Sequence, residues 1–407
     1  MLNVITLEEA QRFLMKTFGG WRPGAETVSL NRAAGRVLAC PVEAKEFVPG
    51  FDRSTVDGYA VRSADTFGCS DAIPAILTLQ GEVLMGEGAD RPLEPGCCAA
   101  VPTGGAIPPE ADAVVMLEYA EDYGDGAIGV CRSAAPGANL IFKGDDVRPG
   151  QTVLPAGRRL ASHDIGALAA LGISRVAVCR RPVAGILSTG DELVPVEETP
   201  RAGQVRDVNS AMLRALVEEA GGEAASFGIL RDDEELLREA LDRALERCDM
   251  VLISGGSSVG MKDATCRVME ERGEVLFHGI AMKPGKPTIL GRAGGKPVFG
   301  LPGHPVAAFF VSRLFVRPLL DRLQGRKTRA RAVPAVLTEA VSANHGRAQY
   351  MGVFLSERDG VRFASPIRGK SGLITTLAGS DGYFCIPRDC EGAAAGETVQ
   401  VYLYSVD

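Results

Sequence analysis

Residues 249–260 read DMVLISGGSSVG. The unbroken apolar run from Met250 to Ile253 ends in paired glycines and serines, which predicts a buried strand feeding a tight loop. Its neighbours set the fold class. Upstream, DDEELLREALDRALERC (232–248) has helical spacing, with Asp232 and Glu235 placed as a capping box. Before it come NSAMLRALVEEAGG (209–222) and RPVAGILS (181–188). The first reads as a helix capped by Asn209 or Ser210 and stopped by Gly221. The second reads as an apolar strand. Downstream, EVLFHGIAM (274–282) and KPVFGLPG (296–303) supply strands, and HPVAAFFVSRLFVRPLL (304–320) an apolar helix with Pro305 in its first turn. Alternation of this kind predicts a mostly parallel sheet covered by helices.

The flanks have a different texture. Apolar residues 7, 10, 13 and 14 predict a helix from Leu7 to Phe18, and a second helix is expected around 30–39. Between 46 and 146, short β-like runs (AILTLQG, AAVPTGG, DAVVMLEY, IGVCR) alternate with Gly and Pro, as in a β-rich insert. SHDIGALAALG (162–172) returns to helix, opened by Ser162 as N-cap. After the basic linker QGRKTRARA (324–332), alternating apolar and polar residues predict a small β-domain reaching residue 407.

Composition narrows the function classes. The 407 residues carry 44 Lys and Arg against 51 Asp and Glu, a net charge of -7. A general nucleic-acid binder is usually basic, so that class is disfavoured. Glu8 and Glu9 stand where a signal peptide would be apolar, and no apolar run approaches the ~20 residues of a membrane span. A soluble cytoplasmic protein is expected. The ten cysteines form no CxxC pair, and Cys97 and Cys98 are adjacent, which suits neither a zinc site nor an ordinary disulfide. The four histidines have no metal-ligand spacing.

In an open α/β sheet, ligands sit beyond the carboxyl ends of the strands. Four such loops are read here: Ser188-Thr189-Gly190-Asp191-Glu192, Ser254-Gly255-Gly256-Ser257-Ser258 running to Asp263, Lys283-Pro284-Gly285-Lys286-Pro287, and Leu301-Pro302-Gly303-His304-Pro305. Glycines let backbone N–H groups approach an anion, serine hydroxyls add donors, and the two lysines are point charges for phosphate. A tight turn alone would use the same residues, and no loop matches a known nucleotide fingerprint. Asp191, Glu192 and Asp263 add hard oxygen donors suited to Mg²⁺ bridging to phosphate. In the insert, FDRSTVDGYAV (51–61) and PTGGAIPPEADAVV (102–115) are further polar loops before strands.

As a set these stretches resemble the molybdopterin molybdenumtransferase family, which includes the gephyrin E domain. The matching segments are FDRSTVDGYAV, PTGGAIPPEADAVV, FKGDDVRPG, STGDEL, ISGGSSVGMKD, MKPGKPT and GLPGHPVA, in the family's order across nearly the whole chain. The resemblance implies a multidomain α/β plus β protein. Its parts are an N-terminal linker domain (1–45 with 147–178), a β-rich insert (46–146), a three-layer molybdopterin-binding α/β domain (179–326) and a C-terminal β-barrel (327–407). It implies a homodimer whose sites each combine the α/β domain of one subunit with the insert of the other. It also implies Mg²⁺-dependent insertion of molybdate into adenylylated molybdopterin with release of AMP. The upstream donor would be a molybdopterin adenylyltransferase, and molybdoenzyme apoproteins or their chaperones would receive the product.

Carried over by motif, catalytic roles fall on Asp57, Thr103, Asp146, Glu192 and Lys283. Contacts to the molybdopterin substrate fall on Thr189, Gly190, Asp232, Gly255, Gly256, Ser257, Ser258, Lys286, Pro302, Pro305 and Ser371. Asp191, Glu192 and Asp263 would meet the metal. The chain departs from the family pattern by SSVG for VSVG, LPGHP for LPGNP, and glycine at 279 and 352 where basic residues are frequent; Arg347 is placed to compensate. These departures leave two alternatives open, a tungstate-specialised paralogue and a gephyrin-like scaffold without catalysis. A different pterin or nucleotide phosphate hydrolase is a further rival.

Overall fold

The computed structural model describes residues 4–255, 259–326 and 331–404. At its centre six strands pair in the order Glu223–Leu230, Val183–Thr189, Met250–Gly255, Lys296–Leu301, Ile289–Ala293 and Gly273–His278. The first four are mutually parallel and the last two antiparallel. Sequence reading overlooked two of them, Glu223–Leu230 and Ile289–Ala293. The first is broken by Gly228 at positive φ and the second is short and glycine-containing. The chain passes from the strand ending at Thr189 out to the sheet's edge, then returns on the other side at Met250. Thr189 and Gly255 therefore flank a topological switch point, where a crevice opens.

Alternation along these strands divides the core. Ala184, Ile186, Met250 and Leu252 face one helical layer, while Leu187, Val251 and Ile253 face the other. The first layer holds Val208–Glu219 and the rod that begins at Pro305 and continues, through a π-helical stretch at Ser312–Val316, to Leu323. The second holds Glu234–Arg247 and Val259–Arg272.

Helix caps differ from the sequence expectation by small register steps. Asp207, not Asn209 or Ser210, accepts from Ser210 N. Asp233, not Asp232, accepts from Glu235 N and Leu236 N. Ser162 is the first helical residue and Ala161 the cap position. Around 30–39 only Leu30–Arg32 is helical, as a single 3₁₀ turn, followed by extended bridges at Val37 and Leu38.

The helix Leu7–Phe18 carries a Thr6–Glu9 capping box. Of the expected apolar face Leu7, Ala10 and Leu14 are buried, whereas Phe13 is 47% exposed and Phe18 takes its place in the core. The buried residues Leu7, Ala10, Leu14 and Phe18 join the α/β core beside Leu319, Leu320 and Leu323. Arg322 Nε and Gln11 Nε2 tie the two helices through Gly19 O and Leu314 O. A separate core around Leu38, Leu160, Leu168 and Val178 joins residues on both sides of the insert.

The insert is a six-stranded sheet in the order Ala113–Met116, Gly58–Val61, Cys97–Val101, Ala75–Glu82, Ala127–Val130 and Ala120–Asp122. At the C-terminus, Ala332–Leu337, Val361–Pro366, Ala348–Arg358, Gly382–Ile386 and Thr398–Leu403 close into a five-stranded barrel around Val353, Ala364, Phe384 and Val401. All ten cysteines are free thiols. No helix among the described residues is long and apolar enough to cross a membrane.

Candidate functional site

Three loops of the α/β sheet meet at the switch point. Thr189 and Gly255 are register partners on adjacent strands, and Ser254 is the partner of Leu301. A Cβ on Gly255 would lie 2.0 Å from Thr189 O, and its φ of +126° adds a second reason for glycine. Together with Glu192, Asn209, Gly303, His304 and Pro305 these residues line a cleft of about 340 Å³. Asn209 Nδ2 donates to Ser254 Oγ at 2.7 Å and to Gly303 O at 2.9 Å, so it pins the Pro302–Pro305 turn against the strand end.

The carboxylates group differently from the expectation. Asp191 Oδ1 accepts from Asp232 N at 3.3 Å. The Asp232 carboxyl is pushed up from its ordinary range by burial, with the Asp191 and Glu192 charges adding to it. Asp232 gains this place because it follows the overlooked edge strand. Asp263 belongs instead to the helix Val259–Arg272, near Cys266 and Arg267. Among the described residues no three His, Cys, Asp or Glu side chains are arranged to hold a metal. The expected set Asp191, Glu192 and Asp263 is thus not a preformed cage. Gly256, Ser257 and Ser258 lie outside the described residues.

The KPGKP loop is also placed differently. It does not end a strand of the α/β sheet. Met282–Lys283 adds to the barrel instead, parallel to Ala348–Arg358, with Lys283 opposite Gln349. The loop forms one wall of a second cleft, of about 770 Å³, between the α/β domain and the barrel. Lys283, Lys286, Arg347, Arg368 and Lys370 line it, with Pro302, His304 and Ser371, and among the described residues no carboxylate does. Such a surface attracts an anion from water, although Arg368 is already paired with Glu339, Nε to Oε1 2.9 Å. Ser371 Oγ lies 2.7 Å from His304 Nδ1. His304 lines both clefts.

The insert collects the remaining residues. Thr103 N donates to Asp57 Oδ1 at 2.6 Å, and this bond, more than the Thr103 hydroxyl, holds the exposed Asp57 carboxyl below its usual range. Lys143 N donates to Asp52 Oδ1 at 2.6 Å, and Ile107 N to Asp52 O at 3.0 Å. Asp146 is exposed beside them, its N–H on Val48 O at 3.1 Å. Gly58 serves more than a turn: a Cβ there would sit 2.0 Å from Val115 O, so glycine lets the strand carrying Asp57 lie flat on its neighbour. Among the described residues, neither cleft is lined by an insert residue.

Comparison with known proteins decides the family. Profiles described as "MoeA N-terminal region (domain I and II)", "Probable molybdopterin binding domain" and "MoeA C-terminal region (domain IV)" match residues 5–172, 185–322 and 334–404. The molybdopterin molybdenumtransferase of Haemophilus influenzae is 32% identical, covering 98% of each chain. That of Bacillus subtilis is 32% identical over 93% of this chain and 89% of its own. The chain belongs to the molybdopterin molybdenumtransferase family. A crystal structure of the Pyrococcus horikoshii molybdopterin biosynthesis protein superposes with a TM-score of 0.88 at 39% identity, covering 99% of this chain and all of that one. Membership places the chain in molybdenum cofactor biosynthesis.

Sequence reading missed Asn209, Arg368 and Lys370. Each lies apart from the recognised motifs, and only folding brings it to a cleft. The two departures at glycine have structural partners. Gly279 has φ +111°, which a basic side chain would strain. A Cβ on Gly352 would lie 2.5 Å from Leu377 Cδ2.

Proposed function

We propose that the protein inserts molybdate into adenylylated molybdopterin and releases AMP, as a cytoplasmic homodimer using Mg²⁺. The observation that carries this reading is the division of the site. Among the described residues, the insert loops that carry Asp57, Thr103 and Asp146 line neither of the two clefts on the α/β and barrel domains. Family membership supplies a reaction that needs both. A second subunit supplies the missing half to each.

The insert loops support that arrangement. Phe47, Phe51, Met85 and Phe142 surround them and are 39%, 51%, 63% and 44% exposed. Apolar side chains clustered this way around polar loops mark a surface that a protein covers. The clefts support an anionic substrate: Lys283, Lys286, Arg347 and Lys370 offer charge to phosphate or molybdate oxygens. Asp57, Thr103 and Asp146 would approach from the partner and position the reacting groups, while Thr189, Gly190 and Gly255 admit the substrate close to backbone.

The carboxylates fit Mg²⁺ as a substrate-bridged ion. Asp191 and Glu192 crowd Asp232 with uncompensated negative charge, and Mg²⁺ characteristically takes one or two carboxylates plus substrate phosphates. Asp191 and Glu192 would hold it, and the bound ion would neutralise charge on the phosphate oxygens. Positioning and charge stabilisation carry the chemistry. A molybdopterin adenylyltransferase would supply the substrate, and molybdoenzyme apoproteins or their chaperones would take the product.

Mixing inactive subunits tests the reading. Asp57→Ala and Lys283→Ala should each abolish turnover as homodimers. Mixed dimers should regain up to half the activity per dimer, because one site then contains both intact halves. Full activity in either single variant, or no recovery on mixing folded dimers, would overturn the shared site.

A further inference from the structure

His304 stands where the strand-end cleft and the cationic cleft meet, and none of the roles above uses it. Its turn is anchored from one side by Asn209 Nδ2 on Gly303 O, 2.9 Å, the same amide that reaches Ser254 Oγ. From the other side its ring holds Ser371, with Nδ1 2.7 Å from Oγ. The Ser371 backbone is pinned separately, its carbonyl accepting from Val306 N at 3.0 Å. Changing either side chain therefore leaves the loop's main attachment in place.

A serine hydroxyl has one hydrogen to give and two lone pairs. When Nδ1 lacks a proton, Ser371 must donate to it, and only oxygen lone pairs face the cationic cleft. When Nδ1 carries a proton, the ring donates and the serine hydrogen is free for a ligand. We infer that His304 is a positioning residue that turns the Ser371 hydroxyl into a donor for a tetrahedral oxyanion in the cationic cleft. The oxyanion is molybdate or a phosphate of the nucleotide. The inference rests on the anionic-ligand reading of that cleft.

Either the Nδ1–H tautomer of the neutral ring or the imidazolium meets this donor requirement. The groups facing His304 from its surroundings are of two kinds. Lys283, Lys286, Arg347, Arg368 and Lys370 line the cationic side. Glu192, Arg206 and Asp207 line the other.

The test is calorimetric titration of the full chain with molybdate and, separately, with AMP. Parent protein should bind at least one of the two. Ser371→Ala and His304→Leu should each weaken binding about tenfold, roughly the 1.4 kcal/mol of a charge-assisted hydrogen bond at the low end of its range. The double variant should be no worse than either single one. His304→Asn, whose amide can donate to Ser371, should retain binding. Binding by His304→Asn as weak as that by His304→Leu would overturn the inference, as would parent-like binding by His304→Leu. Should His304→Leu fail to fold, the comparison of His304→Asn with Ser371→Ala still decides. Binding of neither anion by the folded parent would also overturn it, while molybdate-dependent AMP release would remain a separate test of the proposed reaction.

Discussion

Removing the amide of Asn209 should loosen the site from beneath. Asn209 is 7% exposed and Ser254 1% exposed, so water does not replace what the substitution removes. Asn209→Ala loses two neutral hydrogen bonds, to Ser254 Oγ at 2.7 Å and Gly303 O at 2.9 Å. At about 1 kcal/mol net for each, the loss is about 2 kcal/mol, and leaving a buried acceptor short adds about 1 kcal/mol more. A domain of this size shifts by about 2–4 °C per kcal/mol, so its midpoint should fall by roughly 6–12 °C. Scanning calorimetry reads this. Because chains of several domains unfold in steps, Leu187→Ala, a fully buried core truncation, identifies the α/β transition. Asn209→Asp separates hydrogen bonding from packing: it keeps the volume, sets an acceptor against the Gly303 carbonyl, leaves only the Ser254 hydroxyl able to turn and donate to it, and buries a charge, so it should cost at least as much. A midpoint within about 1 °C of the parent for Asn209→Ala, or parent-like stability of Asn209→Asp, would refute the reasoning.

Three further outcomes are expected. Gly255→Ala places a methyl 2.0 Å from Thr189 O at a φ of +126°, and should lower the α/β midpoint; calorimetry again decides. Gly352→Arg meets Leu377 Cδ2 at 2.5 Å from its Cβ. It should therefore destabilise by about 1–3 kcal/mol in urea unfolding, and Leu377→Ala should relieve it. The Asp57 carboxyl is held below its usual range by the Thr103 N–H. Its contribution is complete above the ordinary aspartate pKa and is lost as pH falls through the lowered folded value. Carbon-detected NMR titration should find the Asp57 midpoint below 3.8, and Thr103→Pro, which removes that N–H, should raise it.

The fold was legible where apolar runs are unbroken. Met250–Gly255 and Val183–Thr189 were read directly, because strands buried on both faces have no polar interruption. Glu223–Leu230 was not, because it is an edge strand with a glycine at positive φ. Its omission hid why Asp232 belongs with Asp191 and Glu192. KPGKP was read as another end of the same sheet, since charge and glycine content do not say which sheet a short strand joins. Its pairing with Ala348–Arg358 is a contact between domains, invisible in local pattern. Asn209 was read as a cap because Asn favours helix starts. Two residues earlier Asp207 takes that role and leaves the Asn209 amide for the strand end. The family resemblance named the motif residues without their geometry, and it is the geometry that separates the strand-end cleft from the cationic one.

The measurement that bears most directly on the proposed function is AMP release from adenylylated molybdopterin by the purified protein, with Mg²⁺ and with molybdate, tungstate or neither. The account predicts release that requires Mg²⁺ and is driven by molybdate. A stronger response to tungstate would mark a paralogue specialised for that metal. No release with either oxyanion, from a folded dimer that still binds the pterin, would contradict the account and favour a scaffold or carrier.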